Sequence, residues 1–447
     1  MMSAIAAVIH WSLCDHQDAK KRMAPWIGME RDRSVALHGR PVTALPRMRL
    51  SRDAAAGLRL AWRATLLTRV LVWVAGVGAL LVWGTSGRAH DFDPGGLTAP
   101  FGAVGDALVA PAARWDSVWY LAIANDGYGG AGRPAFFPLY PLLARAGGWL
   151  VGSPLVAGAI VSIACLVVGL AALHELTRLE LGGEAARWTV VGLALSPMSF
   201  FFSAVYSESL FLALSAGALL SARRGRWWWA GALGALAAAT RSAGVVLLVP
   251  LVLLAWSARV RPRDALALAL VPAGLLVFMA AMAVAGHGAL APFHVQDVWF
   301  REWAGPFGGV PDAVVAAWDG ARQLLSGQRE HVYFTAAGGD PFHVARMNLM
   351  LFAFLLAALP ALIGAARRLP RAYVAYTVAA LALPLSYPVG PQPLMSLPRF
   401  ELVLLPLWMW WGVWLSRHPR ARAPALALSA IGLVAFAAQF ATWHWVA

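Results

Sequence analysis

The chain has 447 residues, of which 60% are apolar and only 13% charged. Soluble domains carry about a quarter charged residues, so this composition excludes both an ordinary cytosolic enzyme and a disordered chain. The formal net charge of +14 would point to nucleic acid in a soluble protein. Here the basic residues fall in short clusters between long apolar runs, which is a signature of membrane topology instead.

Residues 1–65 read as a basic, flexible cytoplasmic tail. Its apolar run at residues 4–13 precedes the Lys20–Lys21–Arg22 cluster, the wrong order for a signal peptide. Met48 is an alternative start, because the text from Arg49 leads into the first apolar run. Residues 66–447 form the membrane domain. Spans are expected at about 66–83, 154–173, 188–205, 207–221, 227–240, 243–256, 265–286, 347–366, 372–388, 399–416 and 424–443. Two loops, 84–153 and 287–346, are long and rich in Gly, Pro and Trp. The fold class is an all-α polytopic membrane protein of about 11 helices, with interfacial helices in the first long loop. Two cysteines, Cys14 in the tail and Cys165 in a span, make a disulfide unexpected.

With the tail in the cytoplasm, the short inside loops carry Arg178 and Arg187; Arg223, Arg224 and Arg226; Arg259, Arg261 and Arg263; Arg367, Arg368 and Arg371; and Arg417, Arg420 and Arg422. The short outside turns carry at most an isolated Arg. The alternation closes with the N-terminus inside and both long loops outside.

Five segments carry candidate chemistry. Arg114–Tyr128 holds Trp115, Val118, Trp119, Ala122 and Ile123 at helical spacing, which predicts a short helix at the membrane surface. Asp116 lies beside that stripe, with Tyr120 one turn on. A carboxylate held among aromatics is a candidate general base; taken alone, the segment fits better an amphipathic helix whose Asp merely faces water. Ala135–Leu143 is apolar but holds Pro138 and Pro141, which predicts a second interfacial helix starting near Pro141. In Ser196–Phe211, Ser207 is an expected N-cap and Glu208 complements the helix dipole; Tyr206 and Glu208 also suit a polar patch lining a cavity. Arg241 ends a span, where the dipole favours a cation. That position alone accounts for Arg241; Arg399 follows Pro398 at the start of a span, where a cation opposes the dipole and a bound anion would offset it, so Arg399 is expected to hold a phosphate, with Arg241 as a second partner. Gln296 and Asp297 lie in an aromatic loop suited to sugar binding or to an interfacial helix. The loop histidines His287, His294, His331 and His343 lack metal-ligand spacing. No metal or other cofactor is expected, although an Asp116–Glu208 pair is able to bind a divalent ion.

These segments are RWDSVWYLAIANDGY (114–128), AFFPLYPLL (135–143), SPMSFFFSAVYSESLF (196–211), ATRSAG (239–244) and LPRFELVLLPL (397–407). In sequence and order they resemble the PIG-V family of mannosyltransferases, within the GT-C class of multispan glycosyltransferases, over roughly residues 60–420. The resemblance implies a polyprenyl-phosphate-mannose donor, used on the non-cytoplasmic face of the cell membrane, and a catalytic acid position that maps to Asp116. Ala243 stands where eukaryotic members carry Asn, and Ser196 also stands where they carry Asn, so the acceptor stays open among lipid, glycan and protein.

The expected reaction is an inverting transfer. Asp116 takes the acceptor proton, Arg399 and Arg241 hold the donor phosphate, and Trp115, Tyr120, Tyr206, Glu208, Gln296 and Asp297 contact substrate. The expected partners are the polyprenyl-phosphate sugar and membrane lipids, with no nucleic acid. The alternative is a polytopic transporter or lipid flippase, which predicts charged groups near the midplane and paired repeats; a third reading is a noncatalytic scaffold.

Overall fold

The structure, a computed structural model, describes residues 50–130, 132–333 and 339–446. Most of the expected tail, including Cys14 and Met48, lies outside the described residues. Helix α1, Leu50–Trp83, begins ahead of the expected span at residue 66. Residues 50–65 join it because Ala54, Ala55, Ala56, Leu58, Leu60, Ala61 and Ala64 are strong helix formers, and Ala61 and Ala64 are buried.

The first long loop folds as α2 (Arg88–Phe92), α3 (Gly102–Val109), α4 (Asp116–Asp126) and α5 (Leu139–Val151). In α5, Pro141 sits within the first turn, where a missing N–H costs nothing. Helix α4 is not a surface helix. Tyr120, Leu121, Ile123 and Ala124 are buried, and the helix packs against α5. Its apolar stripe meets protein rather than lipid.

The bundle continues through α6 (Pro154–Leu181), α7 (Gly183–Ala194), α8 (Glu208–Arg223), α9 (Trp227–Ala238), α10 (Leu248–Ser257), α11 (Pro262–Ala265), α12 (Ala273–Val284) and α13 (Ala291–His294). It closes with α14 (Gly309–Ser326), α15 (Pro341–Ala366), α16 (Arg371–Ser386), α17 (Leu397–Leu402), α18 (Leu405–Arg417) and α19 (Pro419–Ala441). Among the described residues the one extended pairing outside helices is an isolated antiparallel bridge between Arg301 and Val389. The molecule is thus an all-α polytopic membrane protein.

Five stretches are long and apolar enough to cross a membrane: Asp53–Trp83, Pro154–Leu181, Pro262–Val284, Pro341–Ala366 and Pro419–Ala441. Other expected spans are shorter or broken. The run 188–205 divides at Pro197 into α7 and a 3-10 turn at Ser199–Ser203. The run 399–416 divides into α17 and α18. Proline withdraws a donor and clashes with the preceding turn, so these apolar runs do not continue as one helix. In the second long loop, α14 buries Gly309, Ala313, Ala317 and Gly320, a three-to-four-residue stripe packed on α15.

Close approach between helices relies on small residues. A Cβ at Gly412 of α18 would lie 2.5 Å from the Ala185 carbonyl of α7, and one at Gly169 of α6 would lie 3.0 Å from the Ala213 nitrogen of α8. These contacts hold α7 and α8, which flank the Ser196–Ser207 turn.

A buried cation secures that turn. Arg69, in the middle of α1, is 7% exposed. Its guanidinium donates to Ser199 Oγ at 2.8 Å, to the Ala194 carbonyl at 3.3 Å and to the Ser199 carbonyl. It thereby takes up carbonyls at the C-terminus of α7, where the dipole favours positive charge. Arg69→Leu leaves those acceptors unpaired, and is expected to cost about 1–3 kcal/mol, read as a lower unfolding midpoint of the purified protein in detergent.

Candidate active site

The site is built at the turn into α4. Trp115 adopts φ 54°, a left-handed value that a bulky residue rarely takes. Such strain costs about 1–3 kcal/mol and persists where surroundings over-determine it. Here the Trp115 ring is locked edge-on by Phe92 at 5.1 Å, Trp443 at 5.5 Å and Trp445 at 5.0 Å. Asp116 then opens α4 and is 7% exposed. Its backbone N–H, an orphan donor of the first helical turn, donates to Tyr206 Oη at 3.0 Å, and Tyr206 donates its hydroxyl to the Arg114 carbonyl at 3.2 Å. One tyrosine therefore clasps both sides of the strained turn.

Tyr206 belongs to the Ser196–Phe211 segment, and so does the next charged group. Glu208 opens α8 and is 1% exposed. The expected cap by Ser207 does not form: its Oγ bonds the Tyr120 hydroxyl at 2.8 Å, which ties α4 to the start of α8. Arg241 lies just past the end of α9 in extended backbone, leading into a 3-10 turn at Ser242–Leu247. It reaches Glu208 Oε1 in a buried ion pair.

Arg399 completes the cluster. Its Nε lies 3.2 Å from Glu208 Oε1, and its other end pairs with Asp116 Oδ2. The result is a chain of alternating charge, Arg241–Glu208–Arg399–Asp116, drawn from four segments. The Arg399 guanidinium lies over the rings of Tyr206 at 5.5 Å, Phe201 at 5.8 Å and Phe400 at 5.9 Å. Cation–π contact of this kind favours a desolvated guanidinium. The span expected to open at Arg399 is instead the six-residue α17, and the Arg399 N–H bonds the Ser396 carbonyl at 3.1 Å.

The remaining sequence-named residues divide. Trp115 is inside the protein and supports the turn. Tyr120 and Tyr206 are buried, with their hydroxyls engaged as described; burial raises both the Tyr120 and the Tyr128 hydroxyl above the usual range. Gln296 and Asp297 are not joined to the charged chain: Gln296 Nε2 donates to the Pro292 carbonyl at 3.4 Å, and Asp297 is exposed. Their loop approaches the site through Trp299, which packs edge-on to Trp119 at 5.6 Å and Phe136 at 5.8 Å.

Two arginines emerge from the structure that the sequence did not single out. Arg114 donates from Nε to the Ala441 carbonyl at 2.8 Å, and burial lowers its pKa to about 10, offset by Asp93 and Asp106. Arg301 lies beside the cluster, 5.8 Å from the Phe400 ring that also carries Arg241 at 5.5 Å. Its local sequence, Phe300–Arg301–Glu302, holds no signal of this. The left-handed backbone at Phe300, φ 56°, turns the chain back toward the site.

Among the described residues no group of three or more His, Cys, Asp and Glu is placed to hold a metal. Asp116 and Glu208 both face Arg399, which occupies the space an ion between them would need. An apolar groove of about 290 Å³ lies behind the cluster, lined in part by Trp62, Leu66, Val70 and Trp73 of α1 with Phe200 and Phe440. Phe440 meets Phe201 edge-on at 5.7 Å, and so links the groove to the ring under Arg399.

If Tyr206 clasps the Asp116 turn, Tyr206→Phe leaves the Asp116 N–H unpaired. The expected loss is about 1–2 kcal/mol of stability, read by thermal unfolding.

The fold and cluster define a multi-pass membrane protein with a buried ionic site. The family model described as Mannosyltransferase (PIG-V) matches residues 102–256, which bears out the resemblance read from the motifs. GPI alpha-1,6-mannosyltransferase 2 of Rattus norvegicus is 38% identical over 175 residues, which are 36% of this chain and 35% of that one. The protein of the same name from Homo sapiens is 34% identical over the same shares. The matched region thus spans about a third of the length of these relatives. Asp116, Glu208 and Arg241 fall within the family match; Arg301 and Arg399 fall beyond it.

Among solved structures, the apo Archaeoglobus fulgidus oligosaccharyltransferase aligns with a TM-score of 0.43 at 14% identity, covering 84% of this chain and 56% of that one. ArnT from Cupriavidus metallidurans, bound to undecaprenyl phosphate, aligns with a TM-score of 0.36 at 14% identity, covering 73% of this chain and 72% of that one.

Proposed function

We propose that the protein is an integral-membrane glycosyltransferase of GT-C type, which moves mannose with inversion from polyprenyl-phosphate-mannose to an acceptor hydroxyl. The observation that carries this reading is the buried chain Arg241–Glu208–Arg399–Asp116, three of whose members, Asp116, Glu208 and Arg241, fall within the mannosyltransferase family match.

The residues divide the work as follows. Asp116 accepts the proton of the acceptor hydroxyl while that oxygen attacks the anomeric carbon. The new C–O bond forms as the bond from the anomeric carbon to the phosphate oxygen breaks, and the electron pair leaves with the polyprenyl phosphate. Arg399 and Arg241 face the charge that develops on the leaving group, in a site where water is scarce and preorganised donors count most. Glu208 orients both guanidiniums. Before donor arrival Arg399 neutralises Asp116. An incoming phosphate competes for the same guanidinium and frees the carboxylate to act as base, while Glu208 keeps Arg399 in place. The groove beside α1 offers apolar surface for a hydrocarbon chain leading from the bilayer toward Phe201.

The active face is read as the non-cytoplasmic side of the cell membrane. Supporting this, a separate charged cluster sits at the far end of α8, about 22 Å away along the helix axis. There Arg178 and Arg224 pair with Glu175 at 2.8 and 2.9 Å, at helix ends whose arginine content marks the inside. The tail, residues 1–65, is then cytoplasmic, and the acceptor is a glycan, lipid or protein of the cell envelope.

The test is a donor panel with purified protein: labelled polyprenyl-phosphate-mannose, polyprenyl-phosphate-glucose and a nucleotide-linked mannose. Transfer from the first alone, with product anomeric configuration opposite to the donor's by NMR, is the expected result. Use of the nucleotide sugar, or retained configuration, contradicts the reading.

A further inference from the structure

We infer that Arg301 is a third arginine of the donor site, which receives the anionic phosphodiester of the lipid-linked donor together with Arg399; this rests on the proposed transfer reaction. Arg241 and Arg399 are already matched by Glu208 and Asp116. Arg301, the third guanidinium around Phe400, has no ion pair with a carboxylate among the described residues. It is held instead by two carbonyls, Tyr387 O and Met395 O, each at 3.1 Å. That anchoring leaves further N–H donors of the fork uncommitted.

Three guanidiniums and two carboxylates leave the site with one surplus positive charge, the complement of a phosphodiester monoanion. Burial lowers the Arg301 pKa to about 10, with the neighbouring Arg399 acting in the same direction and Asp116 against it. The group therefore stays charged at neutral pH, and it feels both members of the catalytic pair. A partly desolvated cation without a counter-ion gains most from an anion that arrives with substrate. The planar fork also suits two phosphate oxygens, which a lysine does not match.

The test uses the full-length purified protein in detergent. Polyprenyl phosphate is expected to bind wild type, with neutral polyprenol binding much more weakly. Arg301→Gln keeps a donor for the carbonyls but loses the charge, and should weaken polyprenyl phosphate binding about 10–100-fold, the loss expected of one hydrogen bond to a charged group. Polyprenol binding should stay unchanged. Arg301→Lys should fall between the two.

A second measurement needs no variant. Phenylglyoxal modification of Arg301 in wild type, read by peptide mass, should be blocked by polyprenyl phosphate and not by polyprenol or phosphatidylglycerol. Equal affinity of Arg301→Gln and wild type, or no protection of Arg301, overturns the assignment. Equal protection by phosphatidylglycerol overturns it too, since ordinary headgroups would then fill the site. If wild type does not distinguish the phosphate from the alcohol, the transfer reading itself fails.

Discussion

Asp116→Asn is expected to lower kcat for sugar transfer by about 10²–10⁴-fold, the usual contribution of a positioned base. The substitution is nearly isosteric. The Asp116 N–H still reaches Tyr206, and Arg399 still has Glu208 at 3.2 Å, so the turn and the cation keep their supports. What is lost is the capacity to take a proton. The expected pattern is therefore a collapse of turnover with a small change in donor KM and an unfolding midpoint close to wild type. Single-turnover transfer with labelled donor, measured beside a thermal melt, separates the two effects. Near-normal turnover in a folded variant would remove Asp116 from the base role.

Glu208→Gln should show the reverse emphasis. Glu208 is almost wholly buried between two guanidiniums. Neutralising it leaves Arg241 and Arg399 facing each other with Asp116 as their one carboxylate partner. Removing one member of a buried ion pair costs about 3–5 kcal/mol, because the partner charge remains in a poor solvent. A lower unfolding midpoint should come first, with activity falling as Arg399 loses its orientation. A melt unchanged from wild type would mean that the charged chain does not form. The contrast between the two carboxylates is itself informative: one carries chemistry, and the other holds the groups that serve it.

Much of the site was legible as separate residues. Asp116, Glu208, Arg241 and Arg399 each stood out as charges in apolar text, and a topology read from arginines alone placed them on one side. Their direct linkage was not legible. Asp116 and Arg399 are 283 positions apart, and only packing of α4 against the bundle brings them into contact. The burial of α4 was misread because an apolar stripe has the same spacing whether it faces lipid or protein. Ser207 was read as a cap because nothing local announces that Tyr120 will claim its hydroxyl. The apolar run 399–416 reads as one span that Arg399 opens, yet the helix breaks between Leu402 and Leu405, ahead of Pro406. Arg69 escaped notice inside an apolar run, where a lone arginine has no local partner to reveal its role. Gln296 and Asp297 drew attention by composition, whereas Arg301, four residues past Asp297, is the side chain that reaches the cluster.

The role of Asp116 in mannosyl transfer is tested most directly by one comparison. Membranes carrying wild type or Asp116→Asn at matched levels are incubated with radiolabelled polyprenyl-phosphate-mannose, and the products are separated into lipid, polymer and protein fractions. Label entering one fraction with wild type and not with the variant is the predicted result, and it identifies the acceptor class. Equal label with both folded proteins, or none with either, contradicts the assignment of this site to mannosyl transfer.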